Sequence, residues 1–556
     1  MEKRTILAFA LSFLILLIWS FLFAPKQEQA PTKGKPQKKD DVTVSESAEA
    51  PALKPKPPGV VREEDQTVLV PKIGTEEKQV KVETPLYEAI ISNAGGSIKS
   101  FKLKKYRVAA DADAPLVELV NMKKEGESLL NVSFNQPSKQ GAKRLFYHVS
   151  DESLILDAGS SPRDLIFSAV TPDGLSIRKI FRIYPDRYPI DLLVSFSNNT
   201  EKDIRGNLKA SISNLPPEKK KSYYSFVGLS LLLDDALEEM EPKKLKEEKR
   251  FQGRIGWIAY EEDYFLTAII PEDHSEANFS GHSLPSGIIT GTYTSPPVSL
   301  GSRNQLSSHF TLYMGPRDVS ILKQIGKNLD LAIDFGWFDI IAKPLLYSLR
   351  FFNQYVHNYG VSIIILTVLI KILFWPLTHK SYKSMKEMQK LQPLMAKIRE
   401  KYKNDKQQMN KELMGLYKTY KVNPMGGCLP MVIQIPVFFA LFRILGSAIE
   451  LRHAPFMLWI TDLSAPDRLF HFPFKIPFMS PPYGIPVLTL LMGLSMLIQQ
   501  KMTPTPGDPT QAKVMMFLPL IFTVLFINFP SGLVLYWLIN NVLSIGQQYR
   551  IIKKSA

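Results

Sequence analysis

The chain has 556 residues, a net charge of +15 and a mean hydropathy near zero, which averages a charged front half with an apolar back third. A single cysteine, Cys428, excludes a disulfide framework and any multi-cysteine metal site, and the eight histidines show no HExxH spacing. The glycine patterns of nucleotide loops and the GxSxG elbow are absent as well, so the sequence offers no catalytic residue, metal site or cofactor site of a common kind.

The chain opens with Glu2-Lys3-Arg4 and then nineteen uncharged residues, Thr5 to Phe23. At about 1.5 Å per residue such a helix is roughly 28 Å long, close to the hydrocarbon thickness. Leu22 and Ala24 followed by Pro25 make a poor cleavage site, which favours a retained anchor over a removed signal. Residues 25 to about 80 are rich in Pro, Lys, Glu and Gln and read as an extended linker.

Strand patterning follows from about Leu86 to Met314. Ile190, Leu192, Val194 and Phe196 alternate on one face, as do Leu306, Phe310, Leu312 and Met314, with Ser308 the exception. Tyr87 to Ile91 precedes the turn Asn93-Ala94-Gly95-Gly96. Many short β runs between such turns predict a large β-sandwich. Phe226 to Arg250, ending in a charge run, reads as a loop or exposed helix interrupting it. Trp257 and Tyr264 suit a core better than a binding cleft.

Phe338, Ile341, Leu345, Leu349 and Phe352 recur at helical spacing opposite Asp339, Lys343, Arg350 and Gln354. A helix so patterned before a membrane span fits either the interface plane or plain domain packing. Five apolar runs come next: about Tyr355–Leu377, Leu429–Leu451, Ile485–Gln500, Val514–Phe529 and Leu533–Gln547. With the first anchor they make six spans, so both ends face one side, and both ends are basic. The last three runs are short, about fifteen or sixteen residues. Short spans call for bilayer thinning or partner helices.

Between Thr378 and Gly427, twelve Lys/Arg stand against four Asp/Glu, so more than half of the charge excess sits on one loop beside a membrane. The positive-inside bias explains this better than a nucleic-acid footprint, and no specific nucleic-acid target is expected. In this loop Met385, Met388, Leu391, Met395, Ile398 and Tyr402 follow three- and four-residue steps. Lys403-Asn404-Asp405-Lys406 breaks the pattern, and Met409, Leu413, Leu416 and Tyr420 resume it. This predicts a helical hairpin, its methionines an adaptable seam for packing or for docking varied partners.

Lys371 interrupts the apolar run Val361–Leu377, about 9 Å from its inner end. Its stem could nearly reach the interface, so snorkelling competes with function. Thr367 lies four residues earlier on the same face. Gln434, Asn528, Asn540 and Asn541 add polar side chains in other spans, none of which offers a carboxylate at this depth. A partnerless cation is best kept in a hydrated pocket. Arg443, nearer the outer face, is expected to snorkel outward.

The sequence resembles the YidC/Oxa/Albino family of membrane insertases. The resemblance is carried by Tyr359-Gly-Val-Ser-Ile-Ile-Ile-Leu-Thr-Val-Leu-Ile-Lys371, Trp375-Pro-Leu-Thr378, Leu391-Gln-Pro393 and Val422-Asn-Pro-Met-Gly-Gly-Cys-Leu-Pro430. It continues through Glu450-Leu-Arg-His-Ala-Pro-Phe456 and Phe529-Pro-Ser-Gly-Leu-Val-Leu-Tyr-Trp537. Gly256-Trp-Ile-Ala259 and Tyr264-Phe265 extend it to the Gram-negative branch. Lys371 stands where the family usually has arginine, and Trp537 where tyrosine is common.

The resemblance implies a multi-pass α-helical membrane protein with six transmembrane helices, a periplasmic all-β supersandwich and a cytoplasmic helical hairpin. The expected parts are an anchor (1–24), a linker (25–84), the β domain (85–330), an interfacial amphipathic helix (331–354), a five-helix core (355–550) containing the hairpin (379–424), and a basic tail (551–556). It further implies an inner-membrane location with both termini cytoplasmic, and an insertase of nascent membrane proteins, not an enzyme, needing no cofactor. A hydrophilic groove would bind substrate through Lys371, Thr367, Gln434, Trp537 and Asn541. The hairpin, with Met385, Met388, Lys403 and Asp405, would dock partners: the ribosome and signal-recognition-particle pathway, with the Sec translocon and the lipid bilayer alongside. A small-solute transporter and a tethered periplasmic sugar receptor are the alternatives. Solute uptake would mark the first, and loss of function on deleting residues 86–314 the second.

Overall fold

The structure is a computed structural model and describes residues 76–122, 129–135, 145–217, 226–273, 276–420, 422, 429–502 and 509–553. The expected anchor Thr5–Phe23, most of the expected linker and Cys428 lie outside the described residues. These residues divide into two compact units: one holds 387–420 and 422, the other the remainder.

In the larger unit a fourteen-stranded sheet and a five-stranded sheet form the β domain. The two alternating runs of the sequence turn out to be neighbours. Strand Ile190–Asn198 pairs antiparallel with Gln305–Pro316, setting Ile190 opposite Leu312, Leu192 opposite Phe310 and Phe196 opposite Leu306. Ser308 faces Val194, so the one break in the pattern falls on a single cross-strand pair. The predicted turn after Tyr87–Ser92 is present, and Gly95 and Gly96 adopt φ of 83° and 57°, which glycine alone reaches cheaply. Trp257 is completely buried core and Tyr264 packs against the core, as expected.

Two readings are corrected here. Phe226–Arg250 is mostly strand: Gly228–Leu233 and Ala236–Met240 form a hairpin, followed by a 3-10 turn at Pro242–Lys246. Its two-residue turn, Asp234-Asp235, has positive φ at both positions, the geometry that matches strand twist, while Leu229, Leu231 and Leu232 are buried. The acidic residues of the second strand hid this pattern. Gln79–Glu83 is also a strand within the segment read as linker, burying Val80 and Val82 between charged neighbours.

Three arginines join the β domain to the helical part of the larger unit. Arg317 places its guanidinium 3.0 Å from the fully buried Glu261 carboxylate and donates to the carbonyls of Glu262 (3.0 Å) and Ala332. Arg350 lies between Asp318 (3.9 Å) and Glu450 (3.4 Å). Arg452 sits over the rings of Tyr264 and Phe265 at 5.6 and 5.4 Å, so two of the family motifs meet each other here.

The helices are α1 (Val319–Ile325), α2 (Asp339–Val356), α3 (Tyr359–Leu373), α4 (Trp375–Lys401), α5 (Lys406–Thr419), α6 (Leu429–Ser447), α7 (Val487–Met502), α8 (Pro509–Phe526) and α9 (Ser531–Lys553). Helix α2 packs as a domain helix on α3 and α6 through Ala342, Leu346 and Leu349 on one face, and leaves an apolar line of Ile340, Tyr347, Phe351 and Tyr355 exposed on another. Helix α9 packs against α3, α6 and α7, and α7 against α8. At the α7–α8 contact a Cβ on Gly493 would lie 2.2 Å from Thr523 Oγ1, so only glycine permits this approach.

The apolar run Tyr355–Leu377 is not one helix. It breaks at Phe374, where the axis turns by 65° from α3 into α4. Pro376 has no amide to bond the Ile372 carbonyl and its ring crowds that carbonyl, so α3 stops, and proline fits the first turn of the new helix α4. The final helix is 23 residues long, well beyond the short run Leu533–Gln547, because its amides continue the helix past the apolar stretch. Among the described residues no single helix is long and apolar enough to cross a membrane, whereas the bent pair α3–α4 meets that measure together.

The smaller unit is the hairpin. Met388, Leu391 and Met395 of α4 bury against Leu413 and Val422, with Tyr417 packed alongside. Asp405 caps α5, accepting from the Gln408 amide at 3.0 Å. Pro393 lies inside α4.

Candidate functional site

One face of α3 is buried: Ser362, Ile363, Leu366, Thr367 and Lys371 follow helical spacing, while Leu369, Ile372 and Leu373 on the other side are exposed. Lys371 is therefore turned inward, 8% exposed, in the last turn of its helix. The negative end of the α3 dipole lies there and favours a cation. Its ammonium donates to Ser544 Oγ at 2.6 Å and, more weakly, to Asn540 Oδ1 at 3.4 Å. Among the described residues it makes no ion pair. The ammonium is thus not without partners: neutral groups of α9 hold it.

Those groups belong to a longer seam. Tyr536, Asn540, Ser544 and Gln547 recur every three or four residues along one side of α9. Asn540 donates to Gln434 Oε1 of α6 at 3.0 Å, and Gln434 donates to Tyr536 Oη at 3.0 Å. Ser544 donates onward to its own helix at Asn540 O, 2.7 Å away. Further along, Gln547 donates to Thr378 Oγ1 at 3.0 Å, latching the first turn of α4 to α9. A largely buried polar line thus joins α3, the first turn of α4, α6 and α9 through one positive charge and several amides and hydroxyls.

A family model described as YidC periplasmic domain matches residues 79–348, and one described as 60Kd inner membrane protein matches residues 351–556. The protein named membrane protein insertase YidC from Syntrophobacter fumaroxidans is 42% identical over 556 residues, covering 99% of both chains. The chain belongs to the YidC family. A YidC relative from Geobacter metallireducens is also 42% identical, over 565 residues, covering 100% of this chain and 99% of its own. A crystal structure of a YidC insertase with its first transmembrane domain resolved overlaps 86% of this chain and 94% of its own at 18% identity, with a TM-score of 0.38. A galactose mutarotase-like protein from Lactobacillus casei overlaps 42% of this chain and 99% of its own at 10% identity, with a TM-score of 0.30. YidC proteins belong to the bacterial inner membrane, carry a β-rich periplasmic domain and are insertases rather than enzymes.

Of the five groove residues read from the YidC resemblance, only Lys371 and Gln434 share the seam. Thr367 is 1% exposed and donates to Ile363 O at 2.6 Å, so its hydroxyl is satisfied within α3. Asn541 points the other way and donates to Ser495 of α7 at 2.9 Å. Trp537 belongs to an aromatic cluster, edge-on to Phe438 at 5.0 Å and tilted on Phe526 at 5.2 Å. Asn528, read as lying within the fifth span, comes after the end of α8, where its side-chain oxygen accepts from Arg468 at 3.2 Å. Arg443 lies beside Gly336, near enough to Glu239 of the β domain to lower its pKa slightly.

In the hairpin, Met388 is 3% exposed and part of the core, Lys403 is exposed in the turn, and Asp405 is occupied as a helix cap. Met385 is buried in the larger unit. Ser544, Tyr536, Gln547 and Thr378 were missed by the sequence reading. Their signal was the four-residue recurrence of polar side chains in the last helix, visible once Ser544 and Gln547 are placed on the same face as Asn540.

Proposed function

We propose that this chain inserts newly made proteins into the bacterial inner membrane, using the seam around Lys371 as the place where a polar segment leaves water. The observation that carries this reading is a buried ammonium held by neutral hydroxyl and amide groups rather than by a carboxylate. An acidic or polar substrate segment can compete for such a cation without first separating an ion pair. Each unsatisfied backbone group in hydrocarbon costs several kcal/mol, which a line of exchangeable polar partners relieves. The apolar part of the substrate then moves into lipid under the hydrophobic effect alone.

The same proposal includes six spans, with α3 and α6 to α9 forming five and Thr5–Phe23 the first. The basic residues around α4, α5 and the C-terminus place those parts and both termini in the cytoplasm under the positive-inside bias. The β domain then falls in the periplasm and α2 lies along the outer interface with its aromatic line toward lipid. The hairpin offers Lys403 and its basic surface to the ribosome and the signal-recognition-particle pathway, and the Sec translocon is a membrane partner.

In a reconstituted insertion assay with charged-tail substrates, Lys371→Ala should impair insertion and Lys371→Arg should not. Full activity of the alanine variant refutes a role for the charge.

A further inference from the structure

The connection between α6 and α7 presents bulky apolar side chains to the outside in costly backbone conformations. Leu458 is 83% exposed, Phe470 68% and Phe478 81%, and their φ angles are 55°, 55° and 62°. For large side chains the left-handed region is strained, and a polar turn residue or glycine would suit each position better. Phe474, stacked on Phe472 with centroids 5.2 Å apart, is a fourth exposed tip.

The frame beneath these tips is firmly built. Arg468, 8% exposed, donates to Pro482 O at 2.9 Å and to Ile527 O at 2.8 Å, just past the end of α8. Asn528 donates to Phe478 O at 2.8 Å and accepts from the Ser480 amide at 2.8 Å. Asp467 accepts from Trp459 Nε1 at 2.6 Å and from the Leu488 amide in the first turn of α7. Aromatic tips on such a rigid mount are held outward by the loop itself and do not collapse onto their own surface.

We propose that this connection is an outer-leaflet anchor, with Leu458, Phe470, Phe474 and Phe478 buried among lipid headgroups and upper acyl chains. The proposal rests on the spanning topology above. Two features favour lipid as the occupant. The tips continue, at the ends of α7 and α8, the exposed apolar sides of those helices, represented by Leu490, Leu494, Leu520 and Ile521. Between Leu469 and Pro482 the only ionisable groups are His471 and Lys475, so a cation and aromatic rings face the level of lipid phosphates without an opposing acid. Pinned there, the loop fixes how deep the outer ends of two short helices sit.

The test uses the full chain with Cys428→Ser, reconstituted in phosphatidylethanolamine–phosphatidylglycerol vesicles. Nitroxide labels go on Leu458→Cys, Phe474→Cys and Phe478→Cys, with Leu494→Cys as a reference in α7 and Glu201→Cys as an aqueous reference. Collision with oxygen relative to a water-soluble nickel chelate should be several-fold higher at the three loop sites than at Glu201, and highest at Leu494. Loop labels that match Glu201 while Leu494 stays oxygen-rich overturn the anchor and leave the spanning reading intact. Loop labels shielded from both colliders indicate a protein partner and also overturn it. If Leu494 too behaves like Glu201, the spanning topology itself fails.

Discussion

Replacing Lys371 by methionine keeps an unbranched side chain of similar length and removes the charge together with its hydrogen bonds to Ser544 and Asn540. A lysine costs about 2.5–3.5 kcal/mol at the centre of a spanning helix on insertion scales, an upper bound for Lys371 in the last turn of α3. At this site the 2.6 Å bond to Ser544 is a charge-assisted hydrogen bond, worth about 1.5–3 kcal/mol, while the 3.4 Å contact to Asn540 adds little. The C-terminal end of α3 contributes roughly 0.3–1 kcal/mol more. These terms nearly cancel, so Lys371→Met should change the stability of the helical part by less than about 1 kcal/mol. Ser544 keeps its bond to Asn540 O, so no buried hydroxyl is orphaned. Insertion of an acidic-tailed substrate should nevertheless fall about tenfold or more, the equivalent of one lost charge-assisted contact. Unfolding in mixed dodecylmaltoside–SDS micelles, followed by circular dichroism, reads the stability, and a reconstituted assay reads insertion. Destabilisation beyond about 3 kcal/mol would make the lysine a structural strut and refute the reasoning, as would unchanged insertion.

Three further outcomes rest on the same geometry. Ser544→Ala should destabilise the helices by about 1.5–3 kcal/mol in the native chain and by clearly less beside Lys371→Met, and equal losses in both backgrounds would show that the hydroxyl does not act through the ammonium. Gly493→Ala drives a methyl into Thr523 Oγ1 and should cost about 1–3 kcal/mol in the same micelle titration, with Thr523→Ala restoring much of it. Burial lowers the Lys179 ammonium to about 7 from 10.5, so the folded chain sheds that proton while the unfolded chain still holds it. Its contribution to stability is therefore lost as pH falls toward 7 and regained as pH rises toward 10, and a melting temperature measured across that window should climb in the native chain but stay flatter in Lys179→Met. Glu239, raised to about 7 mainly by burial and then by Glu261 and Asp334, acts in the opposite sense between pH 4.5 and 7.

Alternation made the β domain legible: Ile190–Phe196 and Leu306–Met314 were recognisable one at a time, although nothing local said that they pair. Hydrophobic periodicity likewise placed the hairpin and its break at Lys403–Lys406. What failed were segments where charge masks shape. The strand Ala236–Met240 carries two glutamates on a hairpin whose turn signal, Asp234-Asp235, is easily taken for part of a charge run. Lys371 was conspicuous as a charge, but its partners were not, because serine and asparagine in an apolar helix look alike whether they serve a neighbour or their own backbone. Thr367 illustrates the second case and Ser544 both. The break at Phe374 was available from Pro376, whose missing amide and ring interrupt the helix one turn back and weigh more than the unbroken apolar run.

The composition of the seam has a kinetic corollary. Carboxamides and hydroxyls are ambidextrous: each can give a proton to one neighbour and take one from another, as can every peptide unit of a passing chain. Gln434, Asn540, Ser544 and Tyr536 can therefore trade one partner for another a step at a time, each intermediate retaining nearly the full number of bonds. On the proposed reading of the seam as the substrate path, a relay of that kind has a flat profile, with shallow wells and low barriers, along which a client slides without being trapped.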